Sequence, residues 1–190
     1  MQKVILSVSI LIVFTLTNSY AQEDKKVARE KFGNTLNLGL GLGYYGYVPG
    51  AIPAFNINYE FDVAPIFTLA PFVNAYTYRS YYYWGDENNT YREYSYQRTM
   101  VPIGAKATYY FDELLSSGRK WDFYAAGSVG FVIVSTTYEE GYGGNRGTYN
   151  GVSPFYIDAH LGSEFHISNT FGVYLDLSTG LSTFGLAVHL

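Results

Sequence analysis

From Gly162 to Leu190 the chain alternates between apolar side chains and polar or very small ones. Phe165, Phe171, Val173, Leu175 and Leu177 share one phase; Gly162, Glu164, His166, Gly172, Tyr174, Asp176 and Ser178 share the other. After a Gly180-Leu181 turn, Phe184, Leu186, Val188 and Leu190 alternate with Gly185, Ala187 and His189. A helix places i, i+3 and i+4 on one face, so a period of two this long reads as β-strands with two chemically different sides.

What lies against the apolar side depends on where the chain resides. Lys3 supplies a positive start, Val4 to Thr17 an apolar stretch, and Ser19-Tyr20-Ala21 a small-x-small cleavage site, the layout of an export signal. The apolar stretch is shorter than the ~20 residues a spanning helix needs. Residues 1–21 are therefore expected to be a cleaved signal peptide. Residues 22–33, with Glu23, Asp24, Lys25, Lys26, Arg29, Glu30 and Lys31, read as a charged periplasmic leader. A single domain follows at 34–190. Cysteine is absent, which excludes a disulfide framework and a lipid-anchor cysteine. Of 12 Lys and Arg, one is Lys3, set against 16 Asp and Glu; that balance argues against a nucleic-acid partner.

Six earlier strands precede the last two. The first, Thr35 to Tyr47, sets Leu36, Leu38, Leu40, Leu42 and Tyr44 against Asn37, Gly39, Gly41 and Gly43. The second, Ala54 to Asp62, sets Phe55, Ile57, Tyr59 and Phe61 against Asn56, Asn58, Glu60 and Asp62, and ends in an Asp62–Pro65 turn. The third, Phe67 to Tyr81, carries Pro71 as an irregularity. A loop over Tyr82–Tyr91 leads to the fourth, Arg92 to Phe111, with Lys106 on its polar phase. Asp112 to Lys120 is a polar connection. The fifth strand, Trp121 to Tyr138, has Val132 and Val134 on the otherwise polar phase. A glycine-rich loop at Glu139–Gly151 precedes the sixth, Val152 to His166.

Eight strands with apolar outer phases, behind an export signal, predict an all-β fold: an eight-stranded antiparallel up-and-down transmembrane β-barrel. Closure follows because unpaired backbone groups in hydrocarbon cost several kcal/mol each. The long connections at Tyr82–Tyr91 and Glu139–Gly151 point outward from the cell; the short ones at Asp62–Pro65 and Ile167–Asn169 point to the periplasm. The hairpin of strands three and four exceeds the ~9–11 residues of a tilted membrane strand, so it should project above the surface.

Tyr156 to Leu190, with the run LGSEFHISNTFGVYLDLSTGLSTFGLAVHL, resembles the C-terminal half of outer-membrane β-barrel domain proteins of Bacteroidota-type bacteria. Phe123-Tyr124-Ala125-Ala126-Gly127 and Met100-Val101-Pro102-Ile103-Gly104 resemble the strand starts of the same family. The resemblance implies a small OmpA/OmpX-like barrel in the outer membrane of a Gram-negative cell, in a family most of whose members have no known biochemical activity. Such barrels commonly end on an aromatic residue; this chain has Leu190. The implied surroundings are outer-membrane lipid and lipopolysaccharide, with the barrel-assembly machinery and periplasmic chaperones acting during biogenesis, and the implied state is a monomer.

Three constellations carry chemistry. Glu60, Lys106, Asp158, His160, Glu164 and Asp176 fall on the inward phase and are expected to form a lumen polar network. A metal is not expected there, since His160 and Glu164 lie about 13 Å apart on one strand at ~3.3 Å per residue. A three-residue Ile167–Asn169 turn would set His160 opposite Asp176. His166-Ile167-Ser168-Asn169 resembles the His-x-Ser-Asn signature of outer-membrane lipid A deacylases, but this topology puts it at a periplasmic turn, away from the outer leaflet. Tyr81, Tyr82, Tyr83, Trp84, Tyr91 and Arg92 form an aromatic and arginine cluster at the outer hairpin, the residue types enriched at recognition surfaces. They are the candidate contact for an extracellular glycan or protein. Asp86, Glu87 and Asn88 at the tip read as a solvated acidic turn. No catalytic residue and no cofactor is expected; a lipid A-modifying enzyme and a narrow channel are the alternatives.

Overall fold

Period-two alternation becomes eight strands in one closed antiparallel sheet. A computed structural model describes residues 34–43, 52–111, 120–143 and 154–190, with the side chains of Ile52, Tyr82 and Asn89 excepted. The readings on residues 1–33, on Tyr44 and Tyr47, and on most of 112–120 and 139–151 lie outside the described residues. The strands are β1 (Thr35–Gly43), β2 (Ile52–Ala64), β3 (Phe67–Asp86), β4 (Asn89–Tyr110), β5 (Trp121–Tyr138), β6 (Phe155–His166), β7 (Phe171–Ser178) and β8 (Leu181–His189). Each pairs antiparallel with its neighbours in the chain, and β1 pairs with β8, Thr35 facing His189 and Gly43 facing Leu181. Pairing of the first strand with the last closes the wall of the barrel, which removes the open edges a flat sheet would have there.

The two phases separate as the alternation requires. Leu38, Leu40, Phe55, Ile57, Val73, Ile103, Val129, Phe131, Ile133, Ile157, Leu161, Leu175, Leu177, Phe184 and Leu186 stand exposed on the outside. Asn58, Glu60, Thr68, Asn74, Lys106, Asp158, Glu164 and Asp176 are buried inside. Eight strands enclose a lumen just wide enough for side chains to fill, and the one cavity described among Asn56, Asn58, Lys106, His160 and Asp176 holds about 10 Å³, room for at most one water.

The interior is not uniformly polar. Val132 and Val134 point inward because the upper lumen is apolar: Ala54, Phe72, Tyr76, Tyr78, Met100, Val132, Tyr156 and Leu181 pack together, with Tyr96 and Val134 against them. Phe72 and Tyr156 meet at 5.5 Å between ring centroids. This plug sits above the charged side chains, so the lumen has an apolar upper part and a polar lower one.

Four expected details shift. The Tyr82–Tyr91 loop does not exist as a loop. β3 and β4 run through it to a turn at Glu87–Asn88, held by the Asn88 amide donating to Asp86 Oδ1 at 2.8 Å. This segment is rich in tyrosine and tryptophan, residues that favour strands. β3 and β4 keep register through it, Tyr83 facing Glu93 and Ser80 facing Tyr96, which favours the extended state over a loop. Asp62 is exposed instead of lumenal, because a register shift between Asp62 and Ala64 ends the alternation there. The last turn is Thr179–Gly180, with Leu181 already in β8 and buried. The connection before it spans Ile167–Thr170, which sets Gly162 opposite Asp176, and His160 opposite Ser178.

Candidate functional site

The lower lumen holds two side-chain clusters. The central one is built on Asp176 of β7. Its Oδ2 accepts from Lys106 Nζ at 2.6 Å and from Tyr124 Oη at 3.1 Å; its Oδ1 lies 2.8 Å from His160 Nδ1. The His160–Asp176 pair thus forms along the diagonal of the sheet, two residues away from the facing position expected with a three-residue turn. Diagonal neighbours on one face are within reach of a ring as long as histidine. His160 Nε2 in turn lies 2.8 Å from Ser128 Oγ. Asp158 is held by hydroxyls, accepting from Tyr156 and Ser178 at Oδ2 and from Thr179 at Oδ1. Glu60 takes Asn37 at Oε1, and Thr68 and Tyr110 at Oε2. Every one of these carboxylates has a donor, as buried charge requires.

Glu164 belongs elsewhere. At the end of the barrel that carries Thr35 and His189, Glu164 Oε1 lies 2.9 Å from His189 Nε2 and 3.6 Å from His166 Nδ1. The two imidazole rings are 5.0 Å apart. His166 Nε2 hydrogen bonds to Asp122 Oδ2, and His189 Nδ1 lies 3.0 Å from Thr35 Oγ1. Glu164 reaches β8 by passing over Gly172 of β7, where a Cβ would come within 2.0 Å of its Oε1. His189 was not singled out from the sequence. It lies on the inward phase, but its meeting with Glu164 needs the lateral packing of β6, β7 and β8 in the closed barrel.

The His166–Asn169 tetrapeptide divides between two environments. His166 is buried in the lumen against Asp122, whereas Ser168 is exposed and its Oγ accepts from the amides of Thr170 and Phe171. That is serine acting as a turn residue.

At the opposite end, β3 and β4 continue past their partners among the described residues. β2 pairs with β3 as far as Ala54↔Tyr76, and β5 pairs with β4 as far as Tyr96↔Tyr138. On the outward phase of the projecting hairpin, Tyr81, Tyr83 and Tyr91 are 63%, 66% and 62% exposed, and Tyr83 and Tyr91 sit 5.9 Å apart. Trp84 and Arg92 occupy the other face. There Trp84, Tyr94 and Tyr142 meet edge to face at 5.3–5.7 Å, Tyr138 stacks on Tyr142 at 5.0 Å, and the Arg92 guanidinium lies 4.3 Å above Tyr94. Gly141, at φ 87°, turns the chain back so that Tyr142 covers this face. Glu139 fastens the return: its Oε2 accepts from the Ser95 amide at 2.8 Å and hydroxyl at 3.0 Å, with Arg92 at 3.9 Å. Those hydrogen bonds, then the nearby guanidinium groups, hold its carboxyl below the usual glutamate value. The six candidate contact residues are therefore not one patch. Tyr82 falls among the side chains not described, and the rest lie on two faces of one hairpin.

No protein-family model matches the chain, and no curated protein matches it in sequence. Solved structures of β-barrels are similar to it. A de novo designed transmembrane β-barrel superposes with a TM-score of 0.51 at 7% identity, over 86% of this chain and 99% of that one. The Yersinia pestis outer membrane protein Ail, in a phospholipid bilayer nanodisc, gives 0.45 at 10% identity, covering 84% and 99%. Ail in complex with the heparin analogue sucrose octasulfate gives 0.44 at 6% identity, covering 82% and 96%. This chain is a small all-β barrel of eight antiparallel strands, closed on itself. At such identities the likeness concerns architecture.

Proposed function

We propose that this protein is a closed outer-membrane barrel that presents its β3–β4 hairpin as a contact surface outside the cell. The observation that carries the reading is the division of the outward phase along the long strands. On β5 the outward phase is apolar from Trp121, an aromatic of the kind that marks a membrane interface, through half-buried Phe123 to Ile133, then changes to Ser135 and Thr137. On β4 the change comes between Val101 and Thr99. An apolar belt confined to the ~9–11 residues of a tilted membrane strand, ringing a closed sheet, fits hydrocarbon. In water it would be an apolar patch far beyond the few hundred Å² usual for a soluble protein.

Above that belt the tyrosines are too distant to be its aromatic girdle. Tyr81 lies six residues beyond Ala75, roughly 20 Å along the strand at ~3.3 Å per residue, with Thr77 and Arg79 between them. Rigid aromatic rings displayed on a braced ribbon suit the contact of a glycan or a protein, because little side-chain freedom is lost on binding. The export signal at residues 1–21 and the short connections beside the termini support a periplasmic start, assembly with chaperones and the barrel-assembly machinery, and a monomer set in lipopolysaccharide and phospholipid. A filled lumen supports neither an open channel nor a substrate path.

Two measurements test this. Cell fractionation with a heat-modifiable mobility assay should find a folded barrel in the outer membrane, and a soluble periplasmic protein would overturn the reading. Cells carrying Tyr81→Ser, Tyr83→Ser and Tyr91→Ser together should lose adhesion or glycan binding by about tenfold or more, which is ~1.4 kcal/mol. Undiminished binding at equal surface levels would remove the contact role and leave the barrel.

A further inference from the structure

The Glu164, His166 and His189 cluster has no part in the surface reading, and its chemistry differs from that of the rest of the lumen. Elsewhere each buried carboxylate accepts aligned hydrogen bonds. Glu164 Oε1 instead faces two imidazole nitrogens, at 2.9 and 3.6 Å, and its approach to His189 is not aligned as a hydrogen bond. The three ligand-type atoms all lie within 4.8 Å of one another, on three buried residues. A tetrahedral zinc ion with bonds of ~2.0–2.1 Å keeps its ligand atoms about 3.3 Å apart, and the two contact distances bracket that value.

The surroundings orient the rings in the way a metal site needs. His166 presents Nδ1 to the cluster while its far nitrogen bonds Asp122; His189 presents Nε2 while its far nitrogen meets Thr35. A carboxylate or hydroxyl on the outer nitrogen sets the tautomer and aims the inner lone pair. Gly172 leaves the space through which the Glu164 carboxylate passes.

We propose that Glu164 Oε1, His166 Nδ1 and His189 Nε2 bind one divalent first-row transition-metal ion of the zinc type. Two imidazoles and one carboxylate are a borderline-soft donor set, poorly suited to calcium or magnesium, which take mostly oxygen. Three protein ligands leave a fourth position of the tetrahedron for water. The ion would tie β6 to β8 across β7, beside the β8–β1 pairing that closes the barrel. Its consequence is then a folded state that tightens with metal and loosens with chelator.

The untagged full chain, folded in detergent micelles, is titrated with Zn²⁺ against a chromophoric chelator, and its heat-modifiable unfolding is followed with Zn²⁺ or with EDTA. One zinc per folded chain and a higher unfolding temperature with Zn²⁺ are expected. Glu164→Gln keeps the side chain's shape and should weaken binding about tenfold or more; Asp122→Asn, acting through His166, should cost ~10–100-fold. His160→Gln changes the one histidine of the chain outside this cluster, at Asp176, and should bind as the parent does. If His189→Gln fails to fold, the first two variants decide. Folded parent protein that retains no zinc, or Glu164→Gln and Asp122→Asn that bind as tightly as the parent, would overturn the site. So would loss of binding in His160→Gln.

Discussion

Asp176 shows how a single buried charge is made tolerable. Lys106, Tyr124 and His160 reach it from β4, β5 and β6. Removing the cation strands a buried carboxylate, so Lys106→Met should destabilise the barrel by about 3–5 kcal/mol. Tyr124→Phe removes one hydrogen bond to a charge that keeps its cation, and should cost only ~1.5 kcal/mol. Urea unfolding in micelles should rank the two in that order; equal losses would show that the cation does not hold the cluster. Gly172 gives a contrasting case. A methyl there meets the far end of a flexible glutamate, so Gly172→Ala should fold with a loss of about 1 kcal/mol or less. It should nevertheless displace Glu164 and abolish zinc retention in the chelator titration.

The β3–β4 hairpin is braced by an aromatic cluster on its inward face and by a hydrogen-bonded pin to β5. Trp84, Tyr94 and Tyr142 pack there, and Glu139 pins the end of β5 to Ser95. Because the folded state holds the Glu139 carboxyl below its ordinary value of 4.5, it favours the ionised form. The stability this contributes is present above the unfolded value and is lost as pH falls through the folded one. In a Trp121→Phe background, Trp84 fluorescence should change as the solution is acidified below 4.5, reversibly and before the barrel unfolds. With Glu139→Gln added, that transition should be absent; if it persists unchanged, another group controls the hairpin. The outward tyrosines take no part in this packing, which leaves them free for contact.

The barrel as one body is stabilised by two different surroundings, a filled lumen and an apolar exterior. The exterior predicts a depth profile. Val129 sits within the apolar belt of β5 and Ser135 lies on the same phase beyond it. Val129→Arg should therefore destabilise the lipid-embedded barrel by about 2–4 kcal/mol, and Ser135→Arg by ~0–1 kcal/mol. Reversible unfolding from lipid vesicles measures both. Similar costs at the two positions would place the belt's boundary wrongly.

Periodicity alone was enough to read the eight strands, the bounds of β5 and the inward or outward side of nearly every residue. The reason is local: successive side chains of an extended strand must alternate, and only a one-residue slip would reverse them. Val132 and Val134 could not be placed by polarity, because an apolar side chain on the inner phase is explained by Met100, Phe72 and Tyr156 arriving from other strands. The hairpin's true course was also hidden, since tyrosine-rich segments suit both strands and surface loops until a facing strand is known. Lys106 with Asp176, and Glu164 with His189, are 70 and 25 residues apart in the chain. Alternation put all four inside, but which carboxylate met which cation or imidazole depended on register and on the closure of β8 against β1. Those are properties of the assembled sheet, where a turn centred on Asn169, one residue later than a three-residue turn at Ile167–Asn169 would be, moves every partner by two and a glycine at 172 opens the way between strands.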